Sequence, residues 1–182
     1  MGRLLDLGTG TGDVALAAMH GHPNLFSVGA DLSLGMLSAG RTRSGGSGVN
    51  WLSADAIHLP FSDGTFDVVT SAFLMRNVID LENAFGEQWR VLRLGGKVVC
   101  LETTPSNYSL MRPLLQFYLR LVIPFLGGII VSQREAYTYL SVSTEGFLPV
   151  EVLAECMRTV GFRDVKFKRM MFGTVALHWG IK

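Results

Sequence analysis

The sequence predicts an α/β fold built on a mostly parallel sheet of seven strands, with helices on both faces and an antiparallel hairpin at the C-terminus. Three observations lead there. Short apolar runs alternate with helical patterns, the first run opens into a glycine-rich loop at the mouth of a helix, and the last two runs are split by a brief turn.

The first strand is expected at Arg3 to Leu7 (RLLDL), followed by the loop Gly8 to Asp13 (GTGTGD) and a helix from Val14 to Met19. Leu25 to Ala30 reads as the second strand and ends at Asp31, with a helix from about Ser33 to Arg41 and a flexible loop at Ser44 to Gly48. Trp51 to Ser53 is a short third strand. Phe66 to Ala72 is a fourth, entered through the turn Ser62-Asp63-Gly64-Thr65. A helix from Leu81 to Leu92 is expected to stop at Gly95-Gly96 before a fifth strand at Lys97 to Glu102. Beyond Thr104 the alternation gives way to an insertion at about 105–146, apolar as far as Gly128 and polar from Ser132 to Glu145. A departure of this kind carries specificity in many α/β enzymes. A last helix starts at Pro149, suited to a first helical position, and ends at Gly161. The runs Val165 to Met171 and Thr174 to Ile181 form the hairpin, turning at Phe172-Gly173.

All of this reads as one domain spanning residues 1–182, since 48% hydrophobic and 17% charged residues suffice for a single sizeable core. Sixteen Lys and Arg against fifteen Asp and Glu leave a net charge of +1, which argues against a nucleic-acid partner. Cys100 and Cys156 lack metal or disulfide spacing and read as buried thiols of a reducing cytoplasm. No metal site is expected. Mean hydropathy is +0.32, yet no stretch reaches the roughly 20 apolar residues of a spanning helix. The longest, Leu121 to Gln133, is broken by Pro124, Gly127 and Gly128, and Asp6 and Asp13 interrupt any signal peptide.

The glycine loop turns backbone N–H groups and a helix N-terminus toward a polar or anionic ligand. Its spacing is G-x-G-x-G through Gly8, Gly10 and Gly12, and Asp13 stands where the dinucleotide fingerprint has its third glycine. A cofactor without a pyrophosphate is favoured, and S-adenosylmethionine fits, with Asp6 near its positive charge. Asp31, about 20 residues on, is placed to accept both ribose hydroxyls. Asp55-Ala56 follows the third strand, where an adenine ring would lie. The plainer alternatives are a structural glycine turn and an aspartate that caps the next helix.

Several segments carry a family likeness: LLDLGTGTGD, DAIHLPFSDGTFDVV, Arg76-Asn77 within LMRNVID, WRVLRLGGKVVCLE, the tyrosines of EAYTYL, and the ending VALHWGIK. Together they closely resemble the C-methyltransferases of ubiquinone and menaquinone biosynthesis, over essentially the whole chain. The first two segments are shared with many adenosylmethionine-dependent methyltransferases, and the later ones are narrower. The resemblance implies a Rossmann-like class I methyltransferase fold. It also implies a cofactor site at Asp6, Gly8, Gly10, Asp31, Leu32, Asp55, Ala56 and Ser71, and catalytic roles for Arg76, Asn77 and Tyr139. Departures from the pattern are Arg93-Leu94 in the R-V-L-K-P-G-G block, Thr103-Thr104 after Glu102, and Thr138 between the tyrosines. Family members usually begin with several tens of residues that fold over the cofactor. Met1 here begins directly on the first strand, so either a truncated form or a form without that lid is expected.

The chemistry so implied is methylation of an electron-rich ring carbon of a reduced prenylated quinone, for which the site must be dried and the centres aligned. Phenolate is the better carbon nucleophile, so a base acting directly or through water would help. Arg76 stays charged and cannot be an ordinary base, but it can stabilise a developing phenolate or hold a water while Asn77 orients the hydroxyl. The plainer reading of this pair is an ion pair with Asp80 at a helix start and a capping amide. Tyr137 and Tyr139 either line the ring pocket or pack. Glu102, at the ligand-binding edge, either binds or pairs locally. His178 is expected in the core, and His20, His22 and His58 form no metal set.

Residues 110–131 suit a core helix, and equally a greasy entrance for a prenyl tail docked peripherally on a membrane, with Arg112 and Arg120 near headgroups. Self-association stays open. Two rival functions are a methyltransferase for another small molecule, such as a polyketide or sterol, and a non-catalytic cofactor- or quinone-binding subunit.

Overall fold

The computed structural model describes residues 2–105 and 147–182. Seven strands form one sheet in the order β3-β2-β1-β4-β5-β7-β6. They are β1 (Arg3–Leu7), β2 (Phe26–Asp31), β3 (Asn50–Ser53), β4 (Phe66–Ala72), β5 (Leu92–Thr103), β6 (Arg163–Met170) and β7 (Val175–Ile181). The first five run parallel to their neighbours, and β7 lies antiparallel between β5 and β6. β1 leads to β2 and β3 on one side, and the chain then returns to place β4 on the other. That reversal opens a crevice beyond the carboxyl ends of β1 and β4, where open α/β sheets bind ligands.

Four α-helices among the described residues cover the sheet: α1 (Asp13–Gly21), α2 (Leu34–Thr42), α3 (Leu81–Val91) and α4 (Val150–Val160). Ser33 caps α2 by accepting from the Met36 N–H at 3.4 Å, and Asp80 caps α3 by accepting from the Asn83 N–H at 3.0 Å. Gly161, at φ 117°, closes α4 in a left-handed conformation disfavoured for other residues. One continuous core joins Leu5, Val69, Val98 and Cys100 of the sheet to Phe85 of α3 and Leu153 and Met157 of α4. Burying each large side chain of this kind contributes about 1.5–3 kcal/mol. Trp51 lies flat between Gly12 and Gly40, at either of which a Cβ would collide with its ring, and its indole N–H donates to the Gly46 carbonyl at 2.8 Å.

Several boundaries differ from the sequence reading. The helix before β5 ends at Val91 rather than running on to the glycine pair, because Leu92 is buried and already pairs with Phe66. Residues 93–96 then bulge out, with Gly95 left-handed, before pairing resumes at Lys97. Pro149 is the N-cap of α4 and not its first residue, its carbonyl accepting from the Leu153 N–H. The Ser44 to Gly48 loop contains a short 3-10 turn at Gly46–Gly48. The insertion expected at about 105–146 lies outside the described residues except for Pro105. No helix among the described residues is long and apolar enough to cross a membrane.

Candidate active site

The loop after β1 is shaped by three left-handed glycines, Gly8 at φ 63°, Gly10 at φ 55° and Gly12 at φ 86°. At Gly8 an added Cβ would also press on Leu74. Beneath the loop, Asp6 is buried and accepts from the hydroxyls of Thr9 at 2.6 Å and Thr70 at 2.7 Å. Burial pushes its carboxyl above the ordinary range, and the two hydroxyl bonds partly offset this. Asp13, in the place of a third fingerprint glycine, is exposed and pairs with Arg43 at 2.6 Å.

Asp31 closes the loop from the end of β2. Its Oδ2 accepts from the Gly10 N–H and its Oδ1 from the Ser33 N–H, both at 2.8 Å. Asp55 accepts from the Ile57 N–H at 3.1 Å, which shapes the loop after β3. A cavity of about 410 Å³ opens here, and Gly8, Asp31, Leu32, Asp55 and Ala56 line it together with Asn77. These residues fit a nucleoside-bearing ligand. Each Asp31 oxygen keeps a second lone pair for a hydroxyl, and Leu32, Ala56 and Ile57 offer apolar walls for a base.

The loop on the base side is strapped down by Arg90 of α3. Its guanidinium donates to the carbonyls of Phe61 at 2.7 Å and Leu59 at 2.9 Å, and it pairs with Glu87 and Asp63. Glu87 in turn accepts from the Leu59 N–H at 2.7 Å.

Across the cavity, β4 ends in a left-handed Phe73 and a 3-10 turn at Met75–Asn77. Asn77 lies in the cavity wall and donates to the Phe73 carbonyl at 3.4 Å. Arg76 stands behind that wall. Its guanidinium carbon sits 5.1 Å from the Phe73 ring centroid, and Nη1 donates to Glu102 at 2.8 Å. The ion-pair partner is therefore Glu102 and not Asp80, whose carboxylate is engaged in capping α3.

The structure thus gathers Gly8, Asp31, Leu32, Asp55, Ala56 and Asn77 around one cavity, while Asp6, Gly10, Ser71 and Arg76 are not part of its lining. Ser71 is buried on β4 between Leu7 of β1 and Cys100 of β5. The apolar wall of Phe73, Leu74, Val78 and Ile79 escaped the sequence reading. Ile79 in that wall is fully exposed, which only the fold reveals. Tyr137, Tyr139, Arg112, Arg120 and the stretch 110–131 lie outside the described residues. His178 is buried on β7 and bonds to the Val150 carbonyl at 3.0 Å, far from this chemistry. Among the described residues no cluster of three or more His, Cys, Asp or Glu could hold a metal.

This geometry has close counterparts. Solved structures with the same fold include a Thermotoga maritima SAM-dependent methyltransferase described as a possible histamine N-methyltransferase, at TM-score 0.71 and 22% identity, covering 100% of this chain and 83% of that one. Another is a Haemonchus contortus phosphoethanolamine N-methyltransferase 2 solved with S-adenosyl-L-methionine, at TM-score 0.72 and 19% identity, covering 100% of this chain and 48% of that one. Nearer in sequence is a protein of Desulfotalea psychrophila named ubiquinone/menaquinone biosynthesis C-methyltransferase UbiE. It is 45% identical over 181 residues, which are 100% of this chain and 74% of the relative. The demethylmenaquinone methyltransferase of Thermus thermophilus is 43% identical over 180 residues, covering 98% of this chain and 81% of that relative. The sequence model of one family matches residues 2–182, from the first strand of the sheet to the last, and the chain therefore belongs to the ubiE/COQ5 methyltransferase family.

Proposed function

We propose that this protein uses S-adenosylmethionine to methylate a ring carbon of a reduced, prenylated quinone precursor of benzoquinol or naphthoquinol type. The observation that carries the reading is the cavity at the strand-order reversal. It joins the nucleoside-type residues Asp31 and Asp55 to Asn77 of the R-N-V segment, in a chain that matches quinone C-methyltransferases along its whole length.

Bound S-adenosylmethionine supplies an electrophilic methyl group on a positively charged sulfur. Asp31 would hold the ribose hydroxyls, Asp55 would accept from the exocyclic amine of the adenine, and Leu32 and Ala56 would sandwich the ring. Gly8 lets the backbone come close, Gly10 is held in place by Asp31, and Asp6 and Ser71 support the loop and β4 from behind. On the acceptor side, Asn77 orients a ring hydroxyl. Arg76, behind Phe73, favours the phenolate left when that hydroxyl gives its proton to water, a contribution that grows in a low-dielectric site, and the hydrogen of the methylated ring carbon leaves last as a proton to water. Phe73, Leu74, Val78 and Ile79 give the acceptor side an apolar wall. The family likeness adds Tyr139 beside the acceptor ring, and the apolar composition of residues 110–131 suits a peripheral lipid contact.

Transfer of labelled methyl from S-adenosylmethionine to a reduced demethylated prenylquinone, with the label located on a ring carbon, tests this. Label on a ring carbon is expected. Transfer only to a non-quinol acceptor, or cofactor binding with no transfer to any acceptor, overturns the reading.

A further inference from the structure

Behind the cavity wall lies an ion pair almost closed to water. The side chains of Arg76 and Glu102 are 8% and 1% exposed. Glu102 Oε1 accepts from Arg76 Nη1 at 2.8 Å, from the Thr103 N–H at 2.8 Å and from the Thr103 hydroxyl at 3.3 Å. Its Oε2 accepts from the backbone N–H of Arg76 at 3.4 Å. One carboxylate from the end of β5 therefore grips both the side chain and the main chain of Arg76. Arg76 is the residue before Asn77 in the 3-10 turn, and its charge stacks on Phe73. Both neighbours line the cavity.

A buried ion pair is a poor device for stability alone, because apolar residues of similar volume hold two elements together without desolvating two charges. This one stands at the carboxyl edge of the sheet, where the acceptor must come, and the buried Arg76 Nε has no partner among the described residues. We propose that Glu102 is a positioning residue for methyl transfer. By holding Arg76 at two points it fixes the guanidinium that answers the acceptor oxygen, together with the turn that presents Asn77 and Phe73 to the cavity. The assignment rests on the quinol reading above.

Glu102→Gln and Glu102→Asp, each made in the parent and in an Arg76→Lys background, separate positioning from scaffolding. In the parent background kcat should fall by about tenfold or more with Gln and by less with Asp, which keeps the charge. Adenosylhomocysteine affinity should stay within about twofold, since Glu102 does not line the cavity. In the Arg76→Lys background the same changes should cost clearly less than in the parent, because the guanidinium that Glu102 positions is gone and only its hold on the turn remains. Equal losses in both backgrounds, or losses explained by weaker adenosylhomocysteine binding, overturn the proposal. Should the Gln variant not melt cooperatively, the Asp variant carries the same comparison. Nitrogen-15 NMR of the arginine Nε–Hε groups in the adenosylhomocysteine complex gives a readout without turnover. Arg76 should give a slowly exchanging signal in the parent and lose it on Glu102→Gln, and a signal unchanged by the substitution overturns the proposal. A parent inactive on every reduced quinol, with Arg76 restrained by Glu102, instead marks failure of the functional reading.

Discussion

Asp31 and Gly10 are joined by a 2.8 Å hydrogen bond from the Gly10 backbone N–H to the Asp31 Oδ2. The acidic residue that ends β2 thus shapes the glycine loop after β1, so one side chain serves both the loop and the ligand it is proposed to hold. Its other oxygen is tied to Ser33 at the start of α2, so the carboxylate is pre-oriented. Such ordering lowers the entropic cost of binding.

Asp31→Ala should weaken S-adenosylmethionine binding by about 1–3 kcal/mol through the loss of charge-assisted hydrogen bonds. Faster amide exchange at Gly10 should accompany it. Calorimetry and exchange measured on the same variant check both, and unchanged affinity with a loosened loop would remove Asp31 from the ligand site while keeping it as a strut.

Arg90→Ala should release the loop that carries Asp55 to Ile57. The lost partners include two backbone carbonyls and Glu87, and a hydrogen bond to a charged group contributes about 1.5–3 kcal/mol, so stability should fall by about 2–3 kcal/mol. Cofactor affinity should fall as well, because the base-side wall is built on that loop. Denaturant unfolding and calorimetry together decide it, and a destabilised variant with parental affinity shows that the strap does not reach the site.

The order of the elements was legible because it is local: most strands carry a short apolar run, Gly8 follows β1, Asp31 ends β2 and Asp55 lies two residues past β3. Glu102 was singled out at the ligand edge, yet its pairing with Arg76 was not, since 26 residues separate them and Asp80 stood closer in sequence. Only the adjacency of β4 and β5 brings the two together. The apolar wall was missed for a similar reason. Phe73, Leu74, Val78 and Ile79 follow a strand irregularly, and no period marks them as one surface. Leu92 misled the helix boundary because a buried leucine suits either a helix end or a strand start, and sheet pairing with Phe66 decided it.

His178 should make stability depend on pH. Burial lowers its affinity for a proton, and the neutral ring donates from Nε2 to the Val150 carbonyl while Nδ1 has no partner among the described residues. The unfolded chain then binds the proton more readily, so stability is full above the ordinary histidine value near 6.5 and is lost as pH falls from there toward the lower folded value. One such group gives a slope of at most about 1.4 kcal/mol per pH unit. Melting temperatures between pH 7.5 and pH 5 (roughly the histidine range) should decline more steeply in the parent than in His178→Gln, and parallel declines would assign the acid sensitivity elsewhere.

The last prediction concerns Arg76, whose guanidinium bonds to Glu102 and stacks on Phe73. Arg76→Ala would strand a buried carboxylate at a cost of about 3–5 kcal/mol, and any activity loss would be confounded with unfolding. Arg76→Lys keeps the charge, and with it a partner for Glu102, but lacks the planar fork that can serve the carboxylate and an acceptor oxygen together. If Arg76 acts as negative charge develops on the acceptor, Arg76→Lys should lower kcat and kcat/KM alike while adenosylhomocysteine affinity stays near parental. Asn77→Ala should cost less, because it removes an orienting contact and leaves the charge in place. Steady-state kinetics with a reduced demethylated prenylquinone, alongside calorimetry, distinguish the outcomes. A parental rate in Arg76→Lys, or a loss confined to cofactor affinity, would make the Arg76–Glu102 pair a strut between β4 and β5 and leave stabilisation of the phenolate to other groups.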